Sequence, residues 1–258
     1  MKRRIMFTVA YDGTGYSGWQ IQPDKDTIEG VLDRELTRLL GEDIRVIGAS
    51  RTDAGVHAEG AIAVFDTSSN IPPEKFSYAI NQSLPEDIVV RKSEEVAPGF
   101  HPRKINCKKT YRYSIWHDTF PMPTNARYMH HIHYPLDINK MKDAAVYFAG
   151  EHDFAGFCSA AADVETTVRT VYDIHIETPD PPEMKDGRRF YKTIDIYVTG
   201  NGFLYNMVRI IAGTLIDAGT GRIDVGDIQG IIESRDRSRA GNTAPAKGLT
   251  LVGYTFEQ

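Results

Sequence analysis

Between Ile5 and Arg91 the apolar pattern switches between strand and helix periods in the order β-α-β-β-α-β. Ile5 to Tyr11 alternates and is rich in β-formers, so it reads as a strand. Asp26 or Thr27 can cap a helix running to about Leu40, with Ile28, Val31, Leu32, Leu36, Leu39 and Leu40 on its apolar side and Gly41 to end it. Arg45 to Ala49 and Ala61 to Phe65 read as strands, Pro72 to Leu84 as a proline-opened helix, and Ile88 to Arg91 as a fourth strand. This order is a split βαβ unit, and it commits the chain to the α+β class.

The second half repeats the mixture without repeating the sequence. Thr110 to Trp116 is strand-like, with Tyr111, Tyr113 and Ile115 on one face, and Asp137 can cap a helix to about Phe148. Val171 to Ile176 and Tyr191 to Val198 are further strands, and the prolines and mixed charges of Pro179 to Arg189 predict an exposed hairpin connection between them. A strongly apolar helix is expected from Leu204 to about Ala218, a short one over Val225 to Ser234, and a last strand over Leu249 to Phe256. Two lobes joined around Pro98 to Asn106 follow, divided as residues 1–104 and 105–258.

Composition narrows the classes. The chain has 258 residues, 41% apolar and 25% charged, enough to bury a core without disulfide or metal. Cys107 and Cys158 make no framework, so a reducing compartment is the simpler expectation. No apolar run approaches the ~18 residues of a membrane span. The stretch Ile5 to Ala10 behind Lys2-Arg3-Arg4 is too short for a signal-peptide core. A cytoplasmic protein is expected.

Four features could carry chemistry. Gly13-Thr14-Gly15-Tyr16-Ser17-Gly18 fits the dinucleotide pattern GxGxxG, but Pro23 blocks the helix whose N-terminus would face a pyrophosphate, so a loop aiming Trp19 and Gln20 is expected instead. Arg51-Thr52-Asp53-Ala54-Gly55-Val56-His57 follows a strand. It is either a turn whose carboxylate accepts backbone N–H bonds, or one that projects Asp53 as a reactive group. Arg209 is the only charge between Phe203 and Ile216. On a helix apolar nearly all round it needs a carboxylate or phosphate partner unless it snorkels, and Asp53 is a candidate. His101 to Tyr113 holds five Lys or Arg, no acid and interleaved tyrosines, which suits either phosphates and bases or a solvated linker. His130, His131 and His133 have no Cys or carboxylate at a ligand-like spacing, so no metal is expected.

Together these segments resemble the tRNA pseudouridine synthase A family. The likeness lies in Tyr11-Asp12-Gly13, Tyr16 to Gln20, Ser50 to Ala58, Lys109 to Tyr113, Gly150 to Phe154, Phe203 to Leu215 and Ala244 to Leu249, in family order over the whole chain. Ser50 departs from the family's common glycine. The resemblance implies two ferredoxin-like lobes forming one large, mainly antiparallel sheet, with helices on one side and a central active-site cleft. It implies a homodimer that isomerises uridines of the tRNA anticodon arm, conventionally positions 38 to 40, with no cofactor and no metal. By the same resemblance Asp53 is the catalytic residue, Arg209 its ion-pair partner, Tyr111 the ring that stacks on uracil, and Arg51 a residue that holds the flipped nucleotide. Chemically, a carboxylate can attack C1′ or remove a ribose proton, and both routes use the ionised form. The competing reading, a non-catalytic RNA-binding module, needs no such ion pair.

The net charge of −5 argues mildly against RNA, but phosphates feel the local field. A basic face is expected from His101 to Tyr113, extended by Lys2 to Arg4 and Arg235 to Arg239, with acids such as Glu177, Asp180, Glu183 and Asp186 gathered elsewhere.

Overall fold

The computed structural model describes residues 2–159, 164–185 and 188–256, so Asp186 lies outside the described residues. In chain order the elements are β1 (Arg3–Tyr11), α1 (Ile28–Leu40), β2 (Ile47–Gly48), β3 (His57–Thr67), α2 (Phe76–Ile80), β4 (Ile88–Val96), β5 (Cys107–His117) and β6 (His130–Ile132). They continue with α3 (Ile138–Ala145), β7 (Gly150–Asp153), β8 (Val168–Glu177), β9 (Glu183–Lys185), β10 (Arg188–Phe190), β11 (Thr193–Gly200), α4 (Met207–Thr220), α5 (Ile228–Ser234) and β12 (Leu249–Phe256). The chain is α+β, and its strand pairings are mainly antiparallel.

One compact unit is Met1–Cys107 with Thr250–Gln258; the other is Lys108–Leu249. The C-terminal strand thus belongs with the first unit, which a linear cut at 104/105 does not express. The physical reason is a non-local pairing: β12 joins β3 in parallel, Thr250 opposite His57 and Leu251 opposite Ala58.

In the first unit β1 lies between β3 and β4, and β2 flanks β3, the strand order expected of a split βαβ unit. Alternation sends Ile5, Phe7, Val9 and Tyr11 of β1 inward. Phe7 meets Phe65 edge-on at 5.0 Å, and Phe65 meets Phe76 at 5.7 Å. Helix α1 begins at its Thr27 cap, whose side chain accepts from Gly30 N–H, and ends at Gly41 with φ 66°. It buries Ile28, Val31, Leu32 and Leu36. Met6, Ile62 and Val64, of the opposite strand parity, form a second cluster with Phe100, Tyr254 and Phe256. The helix expected over Pro72 to Leu84 contracts to α2 behind a 3₁₀ turn at Pro73–Lys75. Asn81 explains its early end: the side-chain amide exchanges two 2.9 Å hydrogen bonds with the Val90 backbone, which ties the chain to β4.

In the second unit the strands run β5, β11, β8, β7, all antiparallel, with β6 parallel to β5. The proline-rich connection is itself a small hairpin, β9 against β10. Asp137 caps α3 as expected, accepting from the N–H groups of Asn139 and Lys140. Helix α4 starts at Met207, not Leu204, because Asn206 adopts a left-handed φ of 63°. Tyr205 is therefore off the helix and 49% exposed. The rest of α4 is buried nearly all round. Met141 of α3 packs on Gly219, and backbone at Asn242 runs so close to Gly213 that no Cβ fits between them.

Candidate active site

In the first unit the segment Arg51 to His57 leaves β2 and enters β3, so Asp53 sits on a short turn anchored in the sheet. The turn closes on itself where Val56 N–H donates to Asp53 O at 3.1 Å, with Gly55 at φ 76°. The Gly-rich loop braces it at several points. Trp19 N–H donates to Thr52 O at 3.0 Å, Gly55 N–H to Tyr16 O at 3.4 Å, and the Tyr11 hydroxyl meets Thr52 Oγ1 at 2.8 Å. Burial pushes the Tyr11 hydroxyl pKa well above its usual value, so it stays a neutral hydrogen-bonding group.

The glycines of the apparent GxGxxG serve this contact. A Cβ on Gly13 would overlap the Val56 carbonyl, and one on Gly18, at φ 88°, would sit 2.6 Å from Thr52 O and 3.2 Å from the Asp53 carbonyl carbon. Trp19, expected to be aimed at something by this loop, is 1% exposed and packed against Gly48. His57 is buried too. Its Nδ1 accepts from Gly13 N–H at 3.1 Å and lies 3.2 Å from Asp12 Oδ1, so it holds the loop to the turn. Asp53 is half-buried, while Arg51 is exposed and makes no hydrogen bond or ion pair among the described residues.

In the second unit Tyr111 and Tyr113 share a face of β5 and are both buried. Tyr113 is core: its hydroxyl donates to Pro245 O at 3.1 Å, and burial raises its pKa. Tyr111 lies beside Phe203, edge to face at 5.4 Å. Arg209, in the first turn of α4, gives Nε to Ala244 O and Nη1 to Asn206 Oδ1, both at 2.7 Å. Its own carbonyl accepts from Ala244 N–H at 3.1 Å. Asn206 turns its other amide end to Ser159 Oγ at 2.9 Å. Asn206 and Ser159 carry no signal in the hydrophobic pattern; an asparagine one residue before an apolar helix is the only hint.

The three histidines do not converge. His130 packs edge-on against Tyr113, and its pKa is lowered to about 4 by burial, then by Lys247 and His131. His131 Nε2 bonds Asp118 O at 2.8 Å, and His133 packs against Tyr134. Among the described residues no group of three or more His, Cys, Asp or Glu could hold a metal ion. No helix among them is long and apolar enough to cross a membrane.

Parts of the expected basic face are spent internally. Arg3 contacts Glu95 and the Ile71 carbonyl, and Arg4 grips Asp66 through two bonds of 2.7 and 2.6 Å. Arg235 pairs with Asp153 at 3.1 Å, and Arg237 donates to Ala240 O, Gly241 O and Thr243 Oγ1. These arginines hold strands and loops. Arg103 and Lys104 are exposed, and Arg103 Nε donates to the Gly48 carbonyl at 2.8 Å. Lys108 lies 4.9 Å over the Tyr172 ring.

The first unit thus presents a sheet-anchored carboxylate turn that carries an exposed arginine, and the second, by itself, a helix-borne arginine and an aromatic pair. The sequence profile of the tRNA pseudouridine synthases matches residues 8–103 and 144–257, and the chain belongs to this family. It is 47% identical over 249 residues to tRNA pseudouridine synthase A of Brevibacillus brevis, covering 96% of this chain and 98% of that protein. It is 47% identical over 250 residues to tRNA pseudouridine synthase A of Ruminiclostridium cellulolyticum, 97% and 98% of the two chains. A tRNA pseudouridine synthase A 2 of Clostridium perfringens is 44% identical over 249 residues, 96% and 98% of the two.

Proposed function

We propose that this tRNA pseudouridine synthase acts on the anticodon arm, at positions 38 to 40, with Asp53 as its catalytic carboxylate. The observation that carries the reading is the turn itself: a half-buried aspartate fixed from both sides by backbone contacts, where only glycine fits at two of them. A turn held this way presents a carboxylate with little reorganisation, which is what attack on a sugar carbon, or removal of its proton, asks for.

The reaction breaks N1–C1′ and forms C5–C1′; C5 releases a proton and N1 gains one. Atoms and electrons balance, so no oxidant or reductant enters. Asp53 acts as nucleophile or base in its ionised form, with Arg209 as the cation that keeps it so. The pair of contacts fixing Arg209 to Ala244 and Asn206 supports a guanidinium of set orientation. Tyr111, half of an aromatic pair, is the ring for the uracil, and the exposed Arg51 holds the nucleotide once flipped, against an unpairing cost of about a few kcal/mol. The reading includes a homodimer in the cytoplasm.

The experiment is to incubate unmodified tRNA transcripts with the protein and map pseudouridine by carbodiimide adducts and primer extension. Stops one nucleotide 3′ of positions 38 to 40 are expected. Pseudouridine confined to another arm would refute the site choice.

A further inference from the structure

Arg169, the second residue of β8, carries a half-buried guanidinium that has no carboxylate partner among the described residues. Its Nη1 donates to the carbonyls of Thr166 and Val168, at 2.8 and 2.6 Å. Nε and Nη2, which form one edge of the guanidinium fork, make no hydrogen bond among the described residues. Burial lowers the arginine's pKa, and the Cys158 thiol that faces it is pushed up by its own burial, so it stays neutral and offers no compensation. A partly desolvated cation without a counter-charge is costly unless a ligand supplies the charge.

The neighbours point to which ligand. Thr170, the next residue, is clamped to the turn after β11: its N–H donates to Asn201 Oδ1 at 3.0 Å, and its carbonyl accepts from Asn201 N–H at 3.1 Å. That turn carries Phe203, whose ring meets Tyr111. Between them lies Gly202, where an added Cβ would touch only Arg169, at 3.7 and 3.8 Å from Nε and Cδ. The surface beside the fork is therefore bare backbone, which leaves room for another chain to come close. A planar fork with two uncommitted donors matches two oxygens of a phosphate.

We propose that Arg169 grips a phosphodiester of the RNA backbone next to the nucleotide held at Tyr111. The location rests on the proposed role of Tyr111, and the ligand on tRNA as substrate. The test is tRNA binding by the full-length protein from about 50 to about 300 mM salt, for the wild type, Arg169→Gln and Arg169→Lys. Losing one phosphate contact should make the Gln variant about fivefold weaker near 100 mM salt and cut its log–log salt slope by about 0.7 to 0.9. The Lys variant should keep the slope while binding a few-fold more weakly, since the charge stays and the fork is lost. Equal loss of slope in Gln and Lys would mean that Arg169 only closes its own turn, and would overturn the proposal. A wild-type slope in the Gln variant would overturn it as well. If the wild type itself failed to bind tRNA, the substrate reading would fall and the phosphate site with it.

Discussion

Replacing Gly18 by alanine tests whether the Gly-rich loop sets the position of Asp53. The new Cβ would lie 2.6 Å from Thr52 O and 3.2 Å from both the Asp53 carbonyl carbon and the Ala54 nitrogen. All three are backbone atoms, so no side chain can swing away. Relief to an ordinary carbon–oxygen contact moves the turn by roughly 0.8 Å. A displacement near 1 Å at a reacting group costs about 10²-fold in rate, or about 2.7 kcal/mol of activation free energy. The left-handed φ of 88° adds strain of about 1–2 kcal/mol to the folded state. Two controls separate these effects. Gly41→Ala imposes comparable strain, at φ 66°, but its Cβ meets nothing within 4 Å; Gly15→Ala has neither a positive φ nor a neighbour within 4 Å. Urea unfolding and single-turnover pseudouridine formation at saturating tRNA are measured on all three, well below their melting temperatures. Gly18→Ala should lose stability and about 10²-fold in rate, Gly41→Ala stability only, and Gly15→Ala less than about 0.5 kcal/mol and no rate. Equal rates for Gly18→Ala and Gly41→Ala would refute the argument that the loop positions the turn.

Other consequences are more local. Asn206→Gly keeps the left-handed backbone without strain but removes the amide that accepts from Arg209, so it should fold with near-native stability and lose activity; Asn206→Ala should lose activity and about a further 1 kcal/mol of stability, read by thermal melts beside rate measurements. His130, with a folded pKa of about 4 against about 6.5 unfolded, binds its proton more readily in the unfolded chain. Its contribution is therefore fully present above pH 6.5 and is lost as pH falls toward 4. His130→Phe should flatten the acid limb of a stability–pH curve, and an unchanged limb would contradict the assigned burial.

The elements were legible where local chemistry fixes them. Thr27 and Gly41 bracket α1, Asp137 caps α3, and β12 spans Leu249 to Phe256 as the alternation indicates. Expectation failed where a side chain overrides periodicity. Asn81 stops α2 by bonding Val90, and Asn206 delays α4 by taking a left-handed turn. Neither event alters the apolar pattern. Membership of β12 in the first unit rests on a pairing some two hundred residues apart, which periodicity cannot encode. For the site, the motif around Asp53 was visible, but the reason for its glycines was not. Gly13 and Gly18 look like a phosphate loop until their contacts show them pressed against the turn. Likewise Arg3 and Arg4 read as free basic charge until β4 and β3 bring Glu95 and Asp66 beside them.

The central claim is that Asp53 performs the chemistry, and tritium release from tRNA carrying uridine labelled at C5 measures it most directly. Wild-type protein should release the label, because C5 loses its hydrogen when it bonds C1′. Asp53→Asn keeps the shape of the turn and removes the charge, so it should release none above background while still binding tRNA with near-wild-type affinity. Release by Asp53→Asn at a rate near the wild type's would contradict the account.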